Sequence, residues 1–208
     1  MPVTCELKKP KYISEYIDIN NILPREKYIY GTDFIKAKNM INEVLITNNN
    51  TPKGWWDNHN NKDFILPYKK ISLFKRALVR SDIEKIKEGC IYNFGHRGEA
   101  EIKDKFYFDD DNGLFLGIYI AEGNSNLSSG TVQITNNDDE ILDFVKYWFE
   151  KNNIKYQIKT KINKIGKTKY IIGYSVTLGK ILINICGHGA KNKYIHPEIF
   201  NAPENFIK

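Results

Sequence analysis

The second half of the chain alternates between helical and strand periodicity. Apolar residues recur at every second position in 131–135, 154–163 and 170–178, and at every third or fourth position in 137–151. The first spacing is typical of a half-buried strand and the second of an amphipathic helix. With an apolar helix over 113–122 and a short one over 179–186, the pattern predicts helices on one face of an antiparallel sheet, an α+β fold. The helix over 137–151 should bury Ile141, Leu142, Val145, Trp148 and Phe149.

The first half is less regular. Residues 1–30 contain prolines and tyrosines without a helical period, which predicts an extended, loop-rich segment. Helices are predicted over 32–44, 71–79 and 81–89, followed by a strand at 90–94. The acidic run at 109–112 predicts both a boundary and the cap of the next helix. We therefore predict an irregular, mainly helical region over 1–112 and an α+β core over 113–208.

The run GLFLGIYIAEG at 113–123 combines small residues with one acid. Gly117 and Ala121 lie four positions apart, on one helix face, and small residues at that spacing let a second helix approach closely. Glu122 ends the apolar run, and Gly123 is a predicted C-cap. Glu122 either uses its charge in a site or is the solvent-exposed end of a core helix, and this stretch alone leaves both interpretations open.

Composition restricts the class of protein without identifying it. The net charge of +6 permits a polyanionic partner. Three cysteines without paired spacing favour a reducing compartment, and no second ligand pair at finger spacing accompanies Cys90 and His96, which argues against zinc. The sequence shows neither a signal peptide pattern nor an apolar run of membrane-spanning length, so we expect an intracellular protein without membrane contact.

Positive charge is concentrated in one segment. Residues 151–193 contain ten lysines and no Asp or Glu. This segment is either a solvated sheet face or a surface on which lysines neutralise DNA phosphates while polar side chains reach base edges. The second interpretation predicts that DNA is contacted by Gln133, Thr135, Lys155, Gln157, Lys159, Lys161, Asn163, Lys169 and Ser175.

Three blocks resemble one known family. The run FLGIYIAEG at 115–123 resembles the signature helix of LAGLIDADG homing endonucleases, in the dodecapeptide (DOD-type) form found inside inteins. The segment VQITNNDDEIL at 132–142 is similar to the strand and helix start that follow in that family, and GHGAKNKYIHP at 187–197 resembles its glycine-then-lysine block. The resemblance covers roughly 106–208. It implies a helix-hairpin-helix-hairpin-helix core, and residues 1–112 resemble the linker and recognition region that precedes the endonuclease in inteins.

The resemblance also implies an activity. Such a protein would hydrolyse double-stranded DNA at a specific site with Mg²⁺, or Mn²⁺ as a substitute. Glu122 would be a metal ligand, Lys193 (or Lys191) would stabilise charge or polarise water, and Asn136 would position water. Without that role, Lys193 and Asn136 are an ordinary surface lysine and a helix-capping asparagine. The second acid would come from a partner helix packed across Gly117 and Ala121, which predicts a homodimer through the helix over 113–122.

Other functional interpretations differ in how well the sequence supports them. Matches to GIY-YIG and HNH nucleases, at 117–119 and 59–61, lack the required spacing and structural context. A single motif leaves one alternative open. The chain could be a truncated or degenerate homing protein that binds DNA without cutting it.

Overall fold

The computed structural model describes residues 12–23, 28–32, 87–92, 101–163 and 166–207. The predicted helix over 71–79 lies outside these residues. Only the first residue of the helix predicted over 32–44 and the last three residues of the helix predicted over 81–89 lie within them. None of the described helices is both long enough and apolar enough to cross a membrane.

Short antiparallel strands make up the described part of the first half. The strands are β1 Tyr16–Asp18, β2 Ile29–Tyr30, β3 Cys90–Tyr92, β4 Ile102–Lys103 and β5 Lys105–Tyr107, and a 3₁₀ turn spans Ile19–Asn21. Strand β1 pairs with β5, and a three-stranded sheet has the order β2-β3-β4. Buried aromatic and aliphatic residues, among them Tyr28, Tyr30 and Ile91, belong to the hydrophobic core of the chain.

The second half alternates helices with strand pairs. In chain order the elements are α1 Asp110–Glu122, β6 Gly123–Asn126, β7 Thr131–Thr135, α2 Asp139–Lys151, β8 Tyr156–Asn163, β9 Gly166–Tyr174, α3 Val176–Cys186, 3₁₀ turns Ala190–Asn192 and Pro197–Asn201, and α4 Glu204–Ile207. The four strands form an antiparallel sheet of order β6-β7-β9-β8. Helices and antiparallel sheets together confirm the predicted α+β class.

Helices α1 and α2 begin at side-chain caps. The Asp109 carboxylate accepts a hydrogen bond from the backbone N–H of Asn112 at 2.8 Å, and Asp110 and Asp111 stand in the first turn, where the helix dipole favours negative charge. Helix α1 therefore starts three residues before the predicted residue 113. The predicted boundary between residues 112 and 113 falls inside it.

The core between the helices and the sheet is aromatic. Helix α2 buries Leu142, Val145, Trp148 and Phe149 as predicted, whereas Ile141 is half-buried. The Phe115 ring of α1 stacks on Trp148 with centroids 3.6 Å apart. Stacked rings bury a large apolar area and fix the contact between the two helices. On the sheet, Val132, Ile134 and Ile171 are fully buried, which identifies the face that the helices cover.

Two strand predictions were wrong. The returning strand was predicted to run to Leu178, but β9 ends at Tyr174, because the Ser175 hydroxyl caps α3 by accepting from the backbone N–H of Leu178 at 3.0 Å. Ile158 and Ile162 were predicted on the buried face of β8, yet they are 49% and 79% exposed. Strand β8 is an edge strand, and it continues with β9 past the end of β7 as a two-stranded ribbon.

Candidate functional site

The C-terminus of α1 is a tightly packed corner. Glu122 is the last residue of the helix and its side chain is exposed. Gly123 starts β6 with an extended backbone, φ −88°, instead of the left-handed conformation that a C-cap prediction implies. A Cβ atom at Gly123 would lie 2.3 Å from the Tyr119 ring, so only glycine lets the chain turn here without displacing that ring. The corner thus fixes the backbone position that carries the Glu122 side chain.

Lys193, which follows α3 in the chain, contacts this corner. Its Nζ donates a 2.7 Å hydrogen bond to the carbonyl of Tyr119 and lies 3.7 Å from the centre of the Tyr119 ring. The backbone N–H of Gly123 is bonded to the same carbonyl. Burial lowers the pKa of Lys193, because a half-buried ammonium loses hydration. The Lys193 Nζ thus lies at the carbonyl end of α1, where the helix dipole favours positive charge.

The loop after α3 brings Lys193 into position. Gly187 has φ +78° and pairs with Lys193 in an isolated β-bridge, and the backbone N–H of Tyr194 donates to the carbonyl of Cys186 at 3.0 Å. A Cβ atom on Gly187 would lie 2.0 Å from the Asn192 carbonyl oxygen, so both its backbone angle and its surroundings require glycine. Lys191, the alternative to Lys193, is exposed in a 3₁₀ turn.

Tyr119 connects the helix to the sheet. Its ring is fully buried, and its hydroxyl shares a 2.8 Å hydrogen bond with the buried Ser125 of β6. Burial raises the pKa of Tyr119, and it raises the pKa of the neighbouring Cys186 thiol to about 12, so both stay protonated at neutral pH. The sequence analysis did not single out Tyr119 or Ser125. The sequence signal that could have pointed to Tyr119 is a tyrosine inside an apolar helix, because a buried tyrosine hydroxyl needs a hydrogen-bond partner.

Asn136 lies at the same end of the sheet as Glu122, because Gly123 pairs with Ile134 in the register of β6 and β7. The Asn136 side-chain oxygen accepts from the backbone N–H of Asp138 at 2.9 Å, in the turn that leads into α2. Its own N–H donates to the carbonyl of Lys169. The side chain thus shapes a turn, and the role of Asn136 in positioning water remains a prediction.

The face of the sheet opposite the helices is open and polar. Strand register places Gln133 and Thr135 of β7 in rows with Ile172 and Tyr170 of β9. The same two β9 residues pair on their other side with Gln157 and Lys159 of β8, and Lys161 follows on the same side of β8. Lys155 lies one residue before β8, on the same side of the chain as Gln157, Lys159 and Lys161. Its carbonyl accepts a hydrogen bond from the backbone N–H of Tyr174. The open face therefore brings together Gln133, Thr135, Lys155, Gln157, Lys159 and Lys161.

Three other predicted DNA contacts have different surroundings. Lys169 alternates to the helix side of β9, where its Nζ pairs with Asp139 of α2 at 2.5 Å. Ser175 is buried as the cap of α3. Because both are engaged away from the open face, the structure does not bring them to the predicted surface. Asn163 pairs with Gly166 at the tip of the ribbon, and its side chain lies outside the described part.

One face of α1 has no packing partner within the described residues. Leu114 is 53% exposed, Gly117 and Ala121 are exposed, and a Cβ atom on Gly117 would meet no atom within 4 Å. This face ends at Glu122. Within the described ranges, no three His, Cys, Asp or Glu side chains come together as a potential metal site.

Comparison with known proteins identifies the domain. The family model described as LAGLIDADG-like domain matches residues 109–187, which include α1, the four-stranded sheet and α3. The chain carries a LAGLIDADG-like domain. This confirms the predicted resemblance to LAGLIDADG endonucleases for the blocks at 115–123 and 132–142, whereas the block at 187–197 lies, apart from Gly187, beyond the matched residues. LAGLIDADG proteins are DNA-binding nucleases of the homing endonuclease type and generally use divalent metals.

A curated relative matches about half of the chain. The DNA-directed RNA polymerase subunit Rpo1C of Methanocaldococcus jannaschii is 31% identical over 107 residues, which are 51% of this chain and 12% of that protein. The chain therefore spans only a small part of the length of this relative.

Proposed function

We propose that this chain is a site-specific, divalent-metal-dependent endonuclease of double-stranded DNA that works as a homodimer. The observation that carries the proposal is the position of Glu122. This exposed carboxylate ends a helix face made of Leu114, Gly117 and Ala121, directly before the edge strand β6 of the sheet. The polymerase relative shares too small a part of its length to suggest RNA synthesis here.

The helix face supports the homodimer. Two copies of α1 that meet through Gly117 and Ala121 would bury this face in an isologous two-fold contact and bring their Glu122 carboxylates together. A single copy offers one such carboxylate, whereas a metal between two DNA strands needs more than one ligand. Dimerisation would therefore complete the site as well as cover apolar surface.

The chemistry of the corner fits a hard cation. Carboxylate oxygen suits Mg²⁺ or Mn²⁺, and the C-terminal end of the α1 dipole favours positive charge beside Glu122. When bound, the metal would supply charge neutralisation at the scissile phosphate and help for the attacking water. Lys193, held on the Tyr119 carbonyl, would place a second positive charge near that phosphate.

The open face supports DNA contact. Lys155, Lys159 and Lys161 are exposed on the same side of one strand and would neutralise phosphates, while Gln133, Thr135 and Gln157 would face base edges. A two-stranded ribbon such as β8–β9 fits the major groove. In this proposal residues 113–208 form the cutting core and residues 1–112 a linker and recognition region.

The single acid of the motif helix also supports a second function. Glu122 is the only Asp or Glu between residues 113 and 137 of the sequence. A chain that cannot pair its Glu122 with a second acid would bind its site without cutting it, as a non-catalytic remnant of an intein-type endonuclease.

The test separates cutting from binding. A randomised duplex library is first selected for binding in EDTA, and a plasmid carrying the selected site is then incubated with Mg²⁺ or Mn²⁺. Glu122→Gln keeps the size of the side chain and removes its charge, so we expect binding to persist and cleavage to fall by about 100-fold or more. Glu140→Gln, at an exposed position in the first turn of α2, is the matched control and should cut normally.

Each other outcome has a definite meaning. Cleavage by Glu122→Gln at the wild-type rate would remove Glu122 from the mechanism. A wild-type chain that enriches a site but leaves the plasmid intact with both metals would establish the non-cutting alternative.

A further inference from the structure

Two glutamines share one row across the open face of the sheet. Ile172 of β9 pairs with Gln133 of β7 on one side and with Gln157 of β8 on the other. Residues in such a row project to the same side of the sheet. With strands about 4.8 Å apart, the two glutamines lie roughly 10 Å from each other.

Each glutamine is held by a different neighbour. The Tyr174 hydroxyl donates a 2.8 Å hydrogen bond to the side-chain carbonyl oxygen of Gln157. Tyr174 is the diagonal neighbour of Gln157 on the same face, within reach of a long side chain. Gln133 instead donates from its amide nitrogen to the Thr135 hydroxyl at 2.9 Å.

These contacts leave the two amides with opposite hydrogen-bonding preferences. A glutamine carries one carbonyl acceptor with two lone pairs and one NH₂ group with two donors. At Gln157 one carbonyl lone pair is engaged, and the NH₂ group makes no hydrogen bond to the described residues. At Gln133 one of the two N–H donors is engaged, and the carbonyl accepts no hydrogen bond within the described part.

We propose that Tyr174 is a positioning residue for base recognition, because it holds Gln157 as a hydrogen-bond donor toward DNA. Guanine offers two adjacent major-groove acceptors, N7 and O6, to such a donor. A glutamine free to rotate pairs best with adenine, to which it donates and from which it accepts at once. Gln157 held by Tyr174 therefore selects guanine, while Gln133 presents an acceptor to the exocyclic amino group of cytosine or adenine. This inference rests on the proposed DNA binding.

The test reads base preference directly. Duplexes with randomised positions are selected for binding in EDTA, once with the wild-type chain and once with Gln157→Ala. The base position at which Gln157→Ala loses the wild-type preference is the position that Gln157 contacts. There the wild-type chain should select guanine. Tyr174→Phe keeps the ring and removes the hydroxyl, so preference at that position should move from guanine toward adenine by about tenfold, the size of effect that one good base contact supplies.

A charge variant and a matched hydroxyl deletion sharpen the result. Gln157→Glu still accepts from Tyr174 but loses its donors, and it should select cytosine through the N4 amino group. Tyr147→Phe removes another exposed tyrosine hydroxyl, which bonds Asp111 away from the sheet, and it should leave the selected sequence unchanged. In the free protein, the side-chain amide NMR signals of Gln157 should shift in Tyr174→Phe and stay unchanged in Tyr147→Phe.

The failures can be told apart. A wild-type chain that enriches no sequence would overturn the proposed function, and this inference with it. The inference alone would be overturned if Tyr174→Phe kept the wild-type base preference at the DNA position that Gln157 contacts. Unchanged side-chain amide NMR signals of Gln157 in Tyr174→Phe would overturn it as well.

Discussion

At the residue scale, the Nζ atom of Lys193 makes a structural contact that its sequence match does not reveal. The match to a lysine block predicts a chemical role, whereas the hydrogen bond to the Tyr119 carbonyl ties the segment after α3 to the end of α1. The chemical role stays a prediction, and it would use the same atom as this hydrogen bond.

We predict that Lys193→Met lowers the free energy of unfolding by about 1–2 kcal/mol, because methionine keeps the apolar stem and removes a charge-assisted hydrogen bond to a carbonyl. Chemical denaturation measures this change. Lys191→Met is the control, since Lys191 is exposed, and it should change stability by less than about 0.5 kcal/mol. Equal stability of the two variants would mean that the Tyr119 contact contributes nothing to the fold.

At the element scale, the sheet separates its two faces by register. Val132, Ile134 and Ile171 are buried against the helices, while the alternate positions on the same strands form the open face. Alternation over residues 155–161 predicts this division correctly for Lys155, Lys159 and Lys161. It does not predict the exposure of Ile158 and Ile162, because whether a strand face is covered depends on how far the neighbouring elements extend.

We predict that replacing Lys155, Lys159 and Lys161 together by Gln flattens the salt dependence of duplex binding. The slope of log K against log salt should fall in magnitude by about one unit for each phosphate that the protein no longer neutralises, and so by up to about three. Fluorescence anisotropy on a labelled duplex at several salt concentrations measures the slope.

The control for that variant changes net charge equally elsewhere. Lys151 and Lys169 pair with Asp111 and Asp139, and Lys180 lies 5.5 Å from the centre of the Tyr28 ring. Their triple Gln variant should keep a steeper slope than the variant of the open face. Identical slopes for the two triple variants would mean that net charge, and not this face, determines binding.

At the scale of the whole molecule, the exposed face of α1 decides whether the proposed site can be completed. We predict that Gly117→Leu abolishes the homodimer, because a large side chain prevents close approach of two helices. The monomer should not lose stability, since a side chain at 117 meets open space and leucine favours helix more than glycine does. Sedimentation velocity over a range of concentrations measures the assembly, and thermal melting measures the fold.

Asp143→Leu, at an exposed position of α2, controls for added surface hydrophobicity and should leave the dimer intact. A wild-type chain that sediments as a monomer at every concentration, with and without DNA, would contradict the proposed dimer and favour the non-cutting alternative.

The sequence by itself determined the features that depend on local spacing. Patterns with periods of 2 and 3.6 residues specified β7, α2 and most of β8, because side chains return to the same face every second residue in a strand and about every 3.6 residues in a helix. The motif blocks at 115–123 and 132–142 carried the resemblance to the LAGLIDADG family, and the small residues before Glu122 identified the helix that carries the acid. Each block can be recognised within about ten consecutive residues.

The tertiary structure alone decided which side chains meet. Lys193 contacts Tyr119, 74 positions away in the sequence, because the geometry of the loop after α3 brings it there. Tyr174 contacts Gln157 on the neighbouring strand because of the register between β8 and β9. Lys169 and Ser175 looked equivalent to the other polar candidates, yet one pairs with a helix and the other caps one. A polar residue in a sequence does not reveal its partner, since hydrogen bonds and ion pairs depend on distances that only the folded chain fixes.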